Sequence, residues 1–228
     1  MKIKLNDGKI LHTHNDYLGN VLKKYNGMYF EFDSLNFLKK KYNFNTVIDI
    51  GANIGNHSLF FSDFSEKIYS IEPIKETYEI LVKNININKL DKKIYPLNYG
   101  INKENGKMTY NKLPPKIDKL NIINYGSYML NEYISDSGVE IDVVTLDYLV
   151  KSENIVNIDF IKIDIEGMVM NVLNGSVDTL KKHKPILFIE CKDITNVRIN
   201  VGEVLDFLKV YGYKIIKSFN ERDHLFST

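Results

Sequence analysis

Short apolar runs alternate with longer segments of helical period over most of the chain. The runs are rich in isoleucine and valine, and their near-continuous hydrophobicity is typical of strands buried on both faces of a parallel sheet. Their alternation with helical segments predicts an α/β fold in which helices flank the sheet. The predicted strands cover residues 46–51, 68–72, 93–98, 158–164, 185–190 and 213–219.

The segments between these runs carry apolar residues three and four positions apart. In one of them Tyr78, Leu81 and Ile85 form a single stripe, which is the pattern of a helix that packs one face on a sheet. The predicted helices cover residues 55–64, 74–87, 168–182 and 201–211.

Two segments depart from this alternation. Residues 1–45 predict a small hairpin followed by two helices, which together form an N-terminal extension that packs on a core domain of residues 46–228. Residues 102–145 contain several prolines and glycines without a clean period. This stretch is too long for an ordinary connection inside a compact domain, so we predict an inserted flap over a site or a mobile loop.

Composition and charge narrow the functional classes. The 228 residues, 44% of them apolar, suffice for one substantial packed domain. Lys and Arg total 30 against 29 Asp and Glu, so the net charge of +1 gives no strong nucleic-acid signal. A single cysteine, Cys191, excludes an intrachain disulfide. No apolar run resembles a signal peptide or a membrane span, so we expect a cytoplasmic protein, whose oligomeric state stays open.

The stretch "VIDIGANIGN", residues 47–56, is typical of a nucleotide-binding turn between a strand and a helix. Gly51 and Gly55 suit the positive φ angles of such a turn. Asn53 stands where a dinucleotide loop usually carries its middle glycine, and it tolerates positive φ better than most residues. Its side chain adds bulk where a pyrophosphate would press against the backbone. The loop therefore favours S-adenosylmethionine over a nicotinamide dinucleotide.

An acidic residue ends the next predicted strand. Glu72, in "IYSIEP", follows Gly51 by 21 residues, the spacing at which a carboxylate accepts hydrogen bonds from ribose hydroxyls. The alternative is a surface glutamate at a helix start, which Pro73 and the helix dipole would favour. Loop and acid alone do not separate a nicotinamide enzyme from a methyltransferase.

A second polar signature lies in "IDFIKIDIEG", residues 158–167. Lys162, Asp164 and Glu166 recur there at period two, which places them on one face of a strand. Glu190 ends the next predicted strand in the same way. Because ligands bind at the carboxyl ends of parallel strands, we expect the three acids to face one cleft. The alternatives are helix capping by Asp164 and a simple ion pair for Lys162.

Taken together and in order, the motifs of the chain resemble those of one family. They are "VIDIGANIGNHSLFFS", "IYSIEP" with "LVKNI", "VVTLDYL", and "IDFIKIDIEG" with "VLNGS" and "KPILFIE". They resemble the FkbM-type family of S-adenosylmethionine-dependent O-methyltransferases. The resemblance implies a class I methyltransferase fold, with a Rossmann-like, mostly parallel seven-stranded sheet flanked by helices. It also implies methyl transfer to a hydroxyl, often on a sugar of a glycan or a glycosylated metabolite.

The resemblance assigns roles to residues of this chain. It implies that the cofactor is held by Asp49, Gly51, Asn53, Gly55 and Glu72, and that Asp164, Glu166 and Gly167 form the floor near the reacting centre. Neighbouring positions complete the predicted cofactor set, with Asp164 included: Ala52, Asn56, His57, Pro73, Asn98 and Tyr99. The chain departs from the family at Val169, where the family pattern has a second acid.

The predicted chemistry is an in-line displacement, in which alignment of the acceptor dominates. A carboxylate can remove the acceptor's proton, and the candidates for this base are Asp164, Glu166 and then Glu190. Clustered acids could instead hold a divalent cation, but we favour a metal-free route. We expect a small-molecule or glycan acceptor, bound by residues 1–45 and 102–145. An RNA ribose O-methyltransferase and a non-catalytic nucleotide or S-adenosylmethionine binder remain alternatives.

Overall fold

The computed structural model describes residues 1–117, 122–131, 138–191, 193–194, 197–198 and 201–228. In these ranges the strands are β1 (Lys2–Lys4), β2 (Ile10–His12), β3 (Phe44–Ile50), β4 (Ser65–Ile71), β5 (Ile94–Leu97), β6 (Gly100–Ile101), β7 (Gly106–Asn111), β8 (Lys116–Ile117), β9 (Ile122–Ile123), β10 (Gly138–Val144), β11 (Ile158–Ile163), β12 (Ile186–Glu190), β13 (Asp193–Ile194), β14 (Val197–Arg198), β15 (Lys214–Phe219) and β16 (Asp223–Ser227). The helices are α1 (Tyr17–Lys24), α2 (Phe32–Lys41), α3 (Asn56–Phe61), α4 (Lys75–Ile87), α5 (Leu146–Ser152), α6 (Val169–Asn174), α7 (Val177–His183) and α8 (Val201–Lys209), with a short 3-10 turn at Tyr125–Ser127.

Seven strands form the central sheet, in the order β15-β16-β12-β11-β3-β4-β5. The strands from β12 to β5 run parallel, and β15 and β16 add two antiparallel strands at one edge. The chain passes from β3 to β4 and β5 on one side and later places β11 and β12 on the other. Open α/β sheets bind ligands at the carboxyl ends of the strands where the order reverses in this way. The predicted mostly parallel seven-stranded sheet is confirmed.

Alternate residues of the central strands supply two hydrophobic cores, one on each face of the sheet. In β3, Ile48 and Ile50 pack in the core that holds Leu149, from α5, and the buried residues of α6 to α8. Val47 packs in the other core, with buried residues of α1 to α4. Burial on both faces accounts for the near-continuous hydrophobicity of these strands.

One predicted helix is wrong in its extent. Residues 168–182 form two helices, α6 and α7, because the chain bends at Gly175. The Gly175 carbonyl accepts a hydrogen bond from the backbone N–H of Asp147 at 3.0 Å. A Cβ at Gly175 would lie 2.2 Å from the carbonyl oxygen of Asn102. The close approach of the segments that carry Asn102 and Asp147 therefore interrupts the helix, although the helical spacing of apolar residues continues through the bend.

The N-terminal segment has the predicted order of a hairpin followed by two helices. Strand β2 docks on α4 through two asparagine side chains one helical turn apart. The Asn84 amide bonds the backbone N–H and C=O of His12 at 2.6 and 2.9 Å. Asn88 does the same to Ile10 at 2.8 and 2.7 Å. These amides form hydrogen bonds with the backbone N–H and C=O groups at the edge of β2, as a neighbouring strand would. The division into two domains stays a prediction.

The predicted flap, residues 102–145, contains more regular structure than its sequence indicates. Strands β7 and β10 pair antiparallel, and with β6 they form a three-stranded sheet in the order β6-β10-β7. Residues 118–121 and 132–137 of the predicted flap lie outside the described residues. Across the ranges that the structure covers, no helix combines the length and the apolar character needed to cross a membrane.

Candidate functional site

A large cavity opens at the carboxyl ends of β3, β4 and β11. Its volume is about 830 Å³, which lies within the range of sites for nucleotide-sized ligands. Residues from the N-terminal segment, the flap and the β15–β16 turn complete its walls. The cavity therefore occupies the crevice that the strand order predicts.

Most of the predicted site residues meet at this cavity. Those that line it are Gly51, Ala52, Asn53, Asn56, His57, Glu72, Pro73, Tyr99, Asp164, Glu166 and Glu190. Asp49, Gly55 and Asn98 are not among the lining residues. The structure thus brings together residues from five separate stretches of the chain in one continuous surface.

The glycine loop turns through three left-handed residues. Gly51, Asn53 and Gly55 have φ angles of 78°, 51° and 92°, so the predicted tolerance of Asn53 for positive φ is confirmed. A Cβ at Gly51 would lie 2.0 Å from the backbone oxygen of Asp164, which leaves room only for glycine. The Asn53 Oδ1 accepts a hydrogen bond from the Ile54 N–H at 2.8 Å. The Asn53 side chain therefore shapes the turn itself.

Glu72 connects the glycine loop to the end of β4 through hydrogen bonds. Its carboxylate accepts hydrogen bonds from the N–H groups of Asn53 and Ile74, both at 2.9 Å. Burial raises the pKa of Glu72 to about 7, although these two hydrogen bonds oppose the rise. Each carboxylate oxygen keeps a further lone pair for a ligand hydroxyl. Glu72 lines the cavity, and its contact with a ribose stays a prediction.

An ion pair between the buried Lys162 and the partly exposed Asp164 supports the cavity floor. Lys162 is almost fully buried, and its Nζ lies 2.8 Å from Asp164 Oδ2 and 3.7 Å from Asp49 Oδ1. Burial is the largest single effect and acts to raise the pKa of Asp164, but the charge and the hydrogen bond of Lys162, with smaller contributions from neighbouring side chains, together lower that pKa to about 2. Asp164 is therefore ionised at neutral pH and holds a proton only weakly. The ion pair that the sequence left as an alternative for Lys162 is present.

Three predicted cofactor contacts lie behind the cavity wall. Asp49 is fully enclosed, and its Oδ2 accepts a hydrogen bond from Ser58 Oγ at 2.6 Å. The Asn98 Nδ2 donates to the carbonyls of Glu72 and Pro73 at 2.8 and 3.0 Å, which braces that turn. A Cβ at Gly55 would lie 2.7 Å from a Leu81 methyl, so Gly55 permits packing of the turn on α4. In the structure these three residues support the wall without lining it.

Residues 1–45 were predicted to contribute to acceptor binding without any individual residue being named, and they supply Tyr17, Leu18, Phe30 and Glu31 to the lining. The β15–β16 turn was not predicted at all, and it supplies Asn220, Glu221, Arg222 and Asp223. The polar run "NERD" marks a turn, but it reaches the cavity only because β16 pairs with β12. That pairing places Asp223 opposite Glu190. Burial and the nearby Glu31 raise the pKa of Asp223 to about 6, with a smaller opposing effect of the Asn220 hydrogen bond.

Described residues of the flap form one side of the cavity. The Tyr125 ring stacks on His14, with ring centroids 3.7 Å apart and an interplanar angle of 12°. Gly126 lies against the glycine loop, because a Cβ there would be 2.9 Å from the Asn53 Nδ2. Tyr125, Ser127 and Tyr128 all line the cavity. The flap and the N-terminal segment therefore meet over the loop.

Among the described residues, no three histidine, cysteine or carboxylate side chains are grouped as they would be around a metal ion. The metal-free route stays a prediction. Val169, which replaces the second acid of the family pattern, is completely buried in the core and does not line the cavity.

Comparison with known proteins gives one family and one distant relative. The Methyltransferase FkbM domain matches residues 49–215. The hexuronic acid methyltransferase AglP of Haloferax volcanii is 23% identical over 154 residues, which are 65% of this chain and 59% of that protein. The chain thus spans about three fifths of the length of this curated relative.

Two solved structures share the fold. The crystal structure of Methyltransferase FkbM from Methylobacillus flagellatus KT has a TM-score of 0.53 at 18% identity, over 81% of this chain and 44% of that one. Precorrin-6y C5,15-methyltransferase from Geobacter metallireducens GS-15 has a TM-score of 0.50 at 11% identity, over 87% of both chains. At such identities the likeness concerns the fold, and the Rossmann-like methyltransferase fold is confirmed.

Proposed function

The chain belongs to the FkbM methyltransferase family, and on that premise we propose that it transfers the methyl group of S-adenosylmethionine to a hydroxyl of a sugar. The observation that carries the proposal is the 830 Å³ cavity at the carboxyl ends of β3, β4 and β11. One side carries the glycine loop and Glu72, and the other carries carboxylates from β12 and β16. That volume suits a nucleoside cofactor together with a small acceptor.

The donor groups in the cavity fit S-adenosylmethionine better than a dinucleotide. Glu72 is proposed to accept hydrogen bonds from the ribose hydroxyls, and the Tyr99 ring to lie beside the adenine. Asp164, which Lys162 keeps ionised, suits a cationic ammonium group. These carboxylates would repel a pyrophosphate, and the Asn53 side chain occupies the turn where a pyrophosphate would bind. Once bound, the cofactor supplies an electrophilic methyl group on a sulfonium sulfur.

The protein's own residues mainly position the acceptor. Holding a hydroxyl in line with the methyl group can supply an effective molarity of about 10⁵ M or more. Glu166 and Glu190 line the cavity and are proposed to bind acceptor hydroxyls. A carboxylate with a pKa of about 2, such as Asp164, is a weak proton acceptor at neutral pH. We therefore assign Asp164 to binding and orientation.

The charges around the cavity favour a neutral or amino sugar as acceptor. Among the lining residues that the structure describes, seven are carboxylates and only Arg222 is an arginine or lysine. An RNA substrate would need a basic surface beside the cleft, so this balance opposes RNA. It also opposes a uronic acid, although the distant relative AglP is a hexuronic acid methyltransferase.

Cofactor binding is tested by calorimetry with purified protein and S-adenosylhomocysteine, the cofactor product, and separately with NAD. We expect binding of S-adenosylhomocysteine and a higher melting temperature in its presence. Stabilisation by NAD alone would overturn the cofactor assignment.

The acceptor is tested with a panel of methyl glycosides of glucose, glucosamine and glucuronic acid, and with a short RNA. Release of S-adenosylhomocysteine and a mass increase of one methyl group are the readouts. We expect turnover with the neutral or amino glycosides. Turnover with RNA alone would replace the sugar assignment, and turnover with the glucuronide alone would contradict the charge argument.

A further inference from the structure

A glutamate and a histidine are hydrogen-bonded in the cavity wall, and the proposed function gives this pair no role. His57, in the first turn of α3, and Glu31, just before α2, both line the cavity. The His57 Nε2 lies 3.0 Å from Glu31 Oε2, and the histidine side chain is 8% exposed. The two residues are far apart in sequence, so the tertiary structure creates the pair.

The backbone beside the pair is held in place by Asn56. The Phe30 N–H donates to Asn56 Oδ1 at 3.1 Å, and Asn56 Nδ2 donates to the Phe30 carbonyl at 3.2 Å. This two-sided bond fixes the residue before Glu31 to the residue before His57. These two hydrogen bonds hold the backbone segments that carry Glu31 and His57 next to each other.

Glu31 itself has an unusual conformation. Its φ of 58° and ψ of 36° lie in the left-handed region, and its side chain does not cap the helix that it precedes. Non-glycine residues rarely adopt this region, and residues that do are concentrated at functional sites. The carboxylate is directed to His57 and away from the nearby N–H groups of its own helix.

This arrangement selects one tautomer of His57. In a neutral imidazole one nitrogen donates and the other accepts. Because Nε2 faces a carboxylate, Nε2 carries the hydrogen and Nδ1 keeps its lone pair. Among the residues that the structure describes, none forms a hydrogen bond with Nδ1. Nδ1 is therefore the ring atom able to accept a proton from a ligand.

We propose that His57 Nδ1 is the general base of the methyl transfer and that Glu31 is its positioning residue. The proposal rests on the proposed function above. Asp164 already forms an ion pair with the buried Lys162 at 2.8 Å, and protonating Asp164 would break that pair. A proton on His57 instead strengthens its pair with Glu31.

The acceptor oxygen forms a bond to the methyl carbon while its O–H proton passes to Nδ1 of His57. The carbon–sulfur bond breaks, and its electron pair stays on the sulfur. His57 becomes an imidazolium facing Glu31, and it returns the proton to water after the methylated product leaves.

The tautomer of His57 is tested without any acceptor. Protein labelled with ¹⁵N-histidine is examined by NMR in complex with S-adenosylhomocysteine, and the His57 signals are assigned by their loss in His57→Gln. We expect neutral His57 to carry its hydrogen on Nε2, and this preference to weaken in Glu31→Gln. A hydrogen on Nδ1, or His57 signals that do not change in Glu31→Gln, would overturn the proposal that Glu31 positions His57 as the base.

Binding and turnover separate a base from a cofactor contact. For His57→Gln we expect kcat to fall by about 10² to 10⁴ on the best methyl glycoside of the panel. The dissociation constant of S-adenosylhomocysteine should change by less than about threefold. Glu31→Gln should lower kcat and leave KM nearly unchanged. His183→Gln, in α7 away from the cavity, is the matched control and should retain full turnover.

The outcomes distinguish this inference from the function on which it rests. A wild-type protein that does not bind S-adenosylhomocysteine contradicts the proposed function. Normal cofactor binding with undiminished turnover of His57→Gln contradicts the base assignment alone. A large loss of cofactor affinity in His57→Gln would make His57 a cofactor contact and would equally overturn it. Should His57→Gln fail to fold, His57→Asn is measured in its place.

Discussion

The two walls of the cavity are built in different ways. The loop wall, residues 51–57 and 72–74, consists of two continuous stretches, each at the end of a parallel strand. The assembled wall, Glu31, Glu190 and Asp223, combines side chains from the N-terminal segment, β12 and β16. Backbone turns shape the loop wall, whereas strand pairing and packing bring the assembled wall together.

The difference explains where chemical specificity can change. The loop wall depends on φ angles and on backbone N–H groups, which tolerate few substitutions. The assembled wall depends on side chains whose backbone is held by other contacts, such as the pairing of β12 with β16. A cofactor site can therefore persist on one wall while the acceptor site on the other varies.

The largest effect is expected at the floor that joins the two walls. Replacing Lys162 by Met removes the countercharge of the fully buried Asp49 and of Asp164, whose side chain is partly exposed at the cavity. We expect the free energy of unfolding in urea to fall by roughly 3–5 kcal/mol. Adding Asp164→Asn to Lys162→Met should restore part of the loss. Exposed Lys151→Met should cost less than about 0.5 kcal/mol, and a similar small loss at Lys162 would refute the buried ion pair.

The loop wall should be intolerant of a single methyl group at Gly51. Gly51→Ala combines a left-handed backbone with a Cβ 2.0 Å from the Asp164 carbonyl oxygen. We expect a loss of about 2–4 kcal/mol in unfolding free energy. Gly212→Ala is the matched control, because Gly212 has a φ of 88° with nothing within 4 Å. Gly212→Ala should lower the unfolding free energy by about 1 kcal/mol, the cost of a left-handed backbone alone. Equal losses of unfolding free energy at Gly51 and Gly212 would disprove the steric argument.

The pH dependence of stability should report on Glu72. Its folded-state pKa of about 7 lies above the ordinary value of 4.5, so the folded protein binds this proton more tightly. The resulting stability is fully present below pH 4.5 and is lost as the pH rises through about 7. We expect the difference in unfolding free energy between wild type and Glu72→Gln to shift by on the order of 3 kcal/mol over this window. A pH-independent difference would show that Glu72 titrates normally.

The smallest effect is expected where the flap meets the N-terminal segment. Tyr125→Ala removes the ring that stacks on His14, a contact worth about 0.5–1.5 kcal/mol. Calorimetry should show S-adenosylhomocysteine binding about two- to tenfold more weakly. Tyr148→Ala, a half-exposed tyrosine of α5 that does not line the cavity, should bind normally. Unchanged affinity in Tyr125→Ala would show that the flap does not hold the cofactor.

Much of the loop wall could be predicted from the sequence because its chemistry is local. A turn that needs positive φ selects glycine or asparagine within a few residues, so Gly51 and Asn53 were recognisable. Burial on both faces gives parallel strands a continuous apolar run, which made β3, β4 and β11 visible. Helix ends were less visible, as the bend at Gly175 shows, because the interrupting contact comes from Asn102 and Asp147.

By itself the sequence determined the fold class, the turn after β3 and the acids that end β4, β11 and β12. Only the tertiary structure decided that Asp49 lies behind the wall and that Glu31 meets His57. It also decided that Asp223 stands opposite Glu190. Turn geometry and burial act on neighbouring residues and leave a pattern along the chain. A contact between distant side chains depends on strand order and helix packing, and it leaves no such pattern.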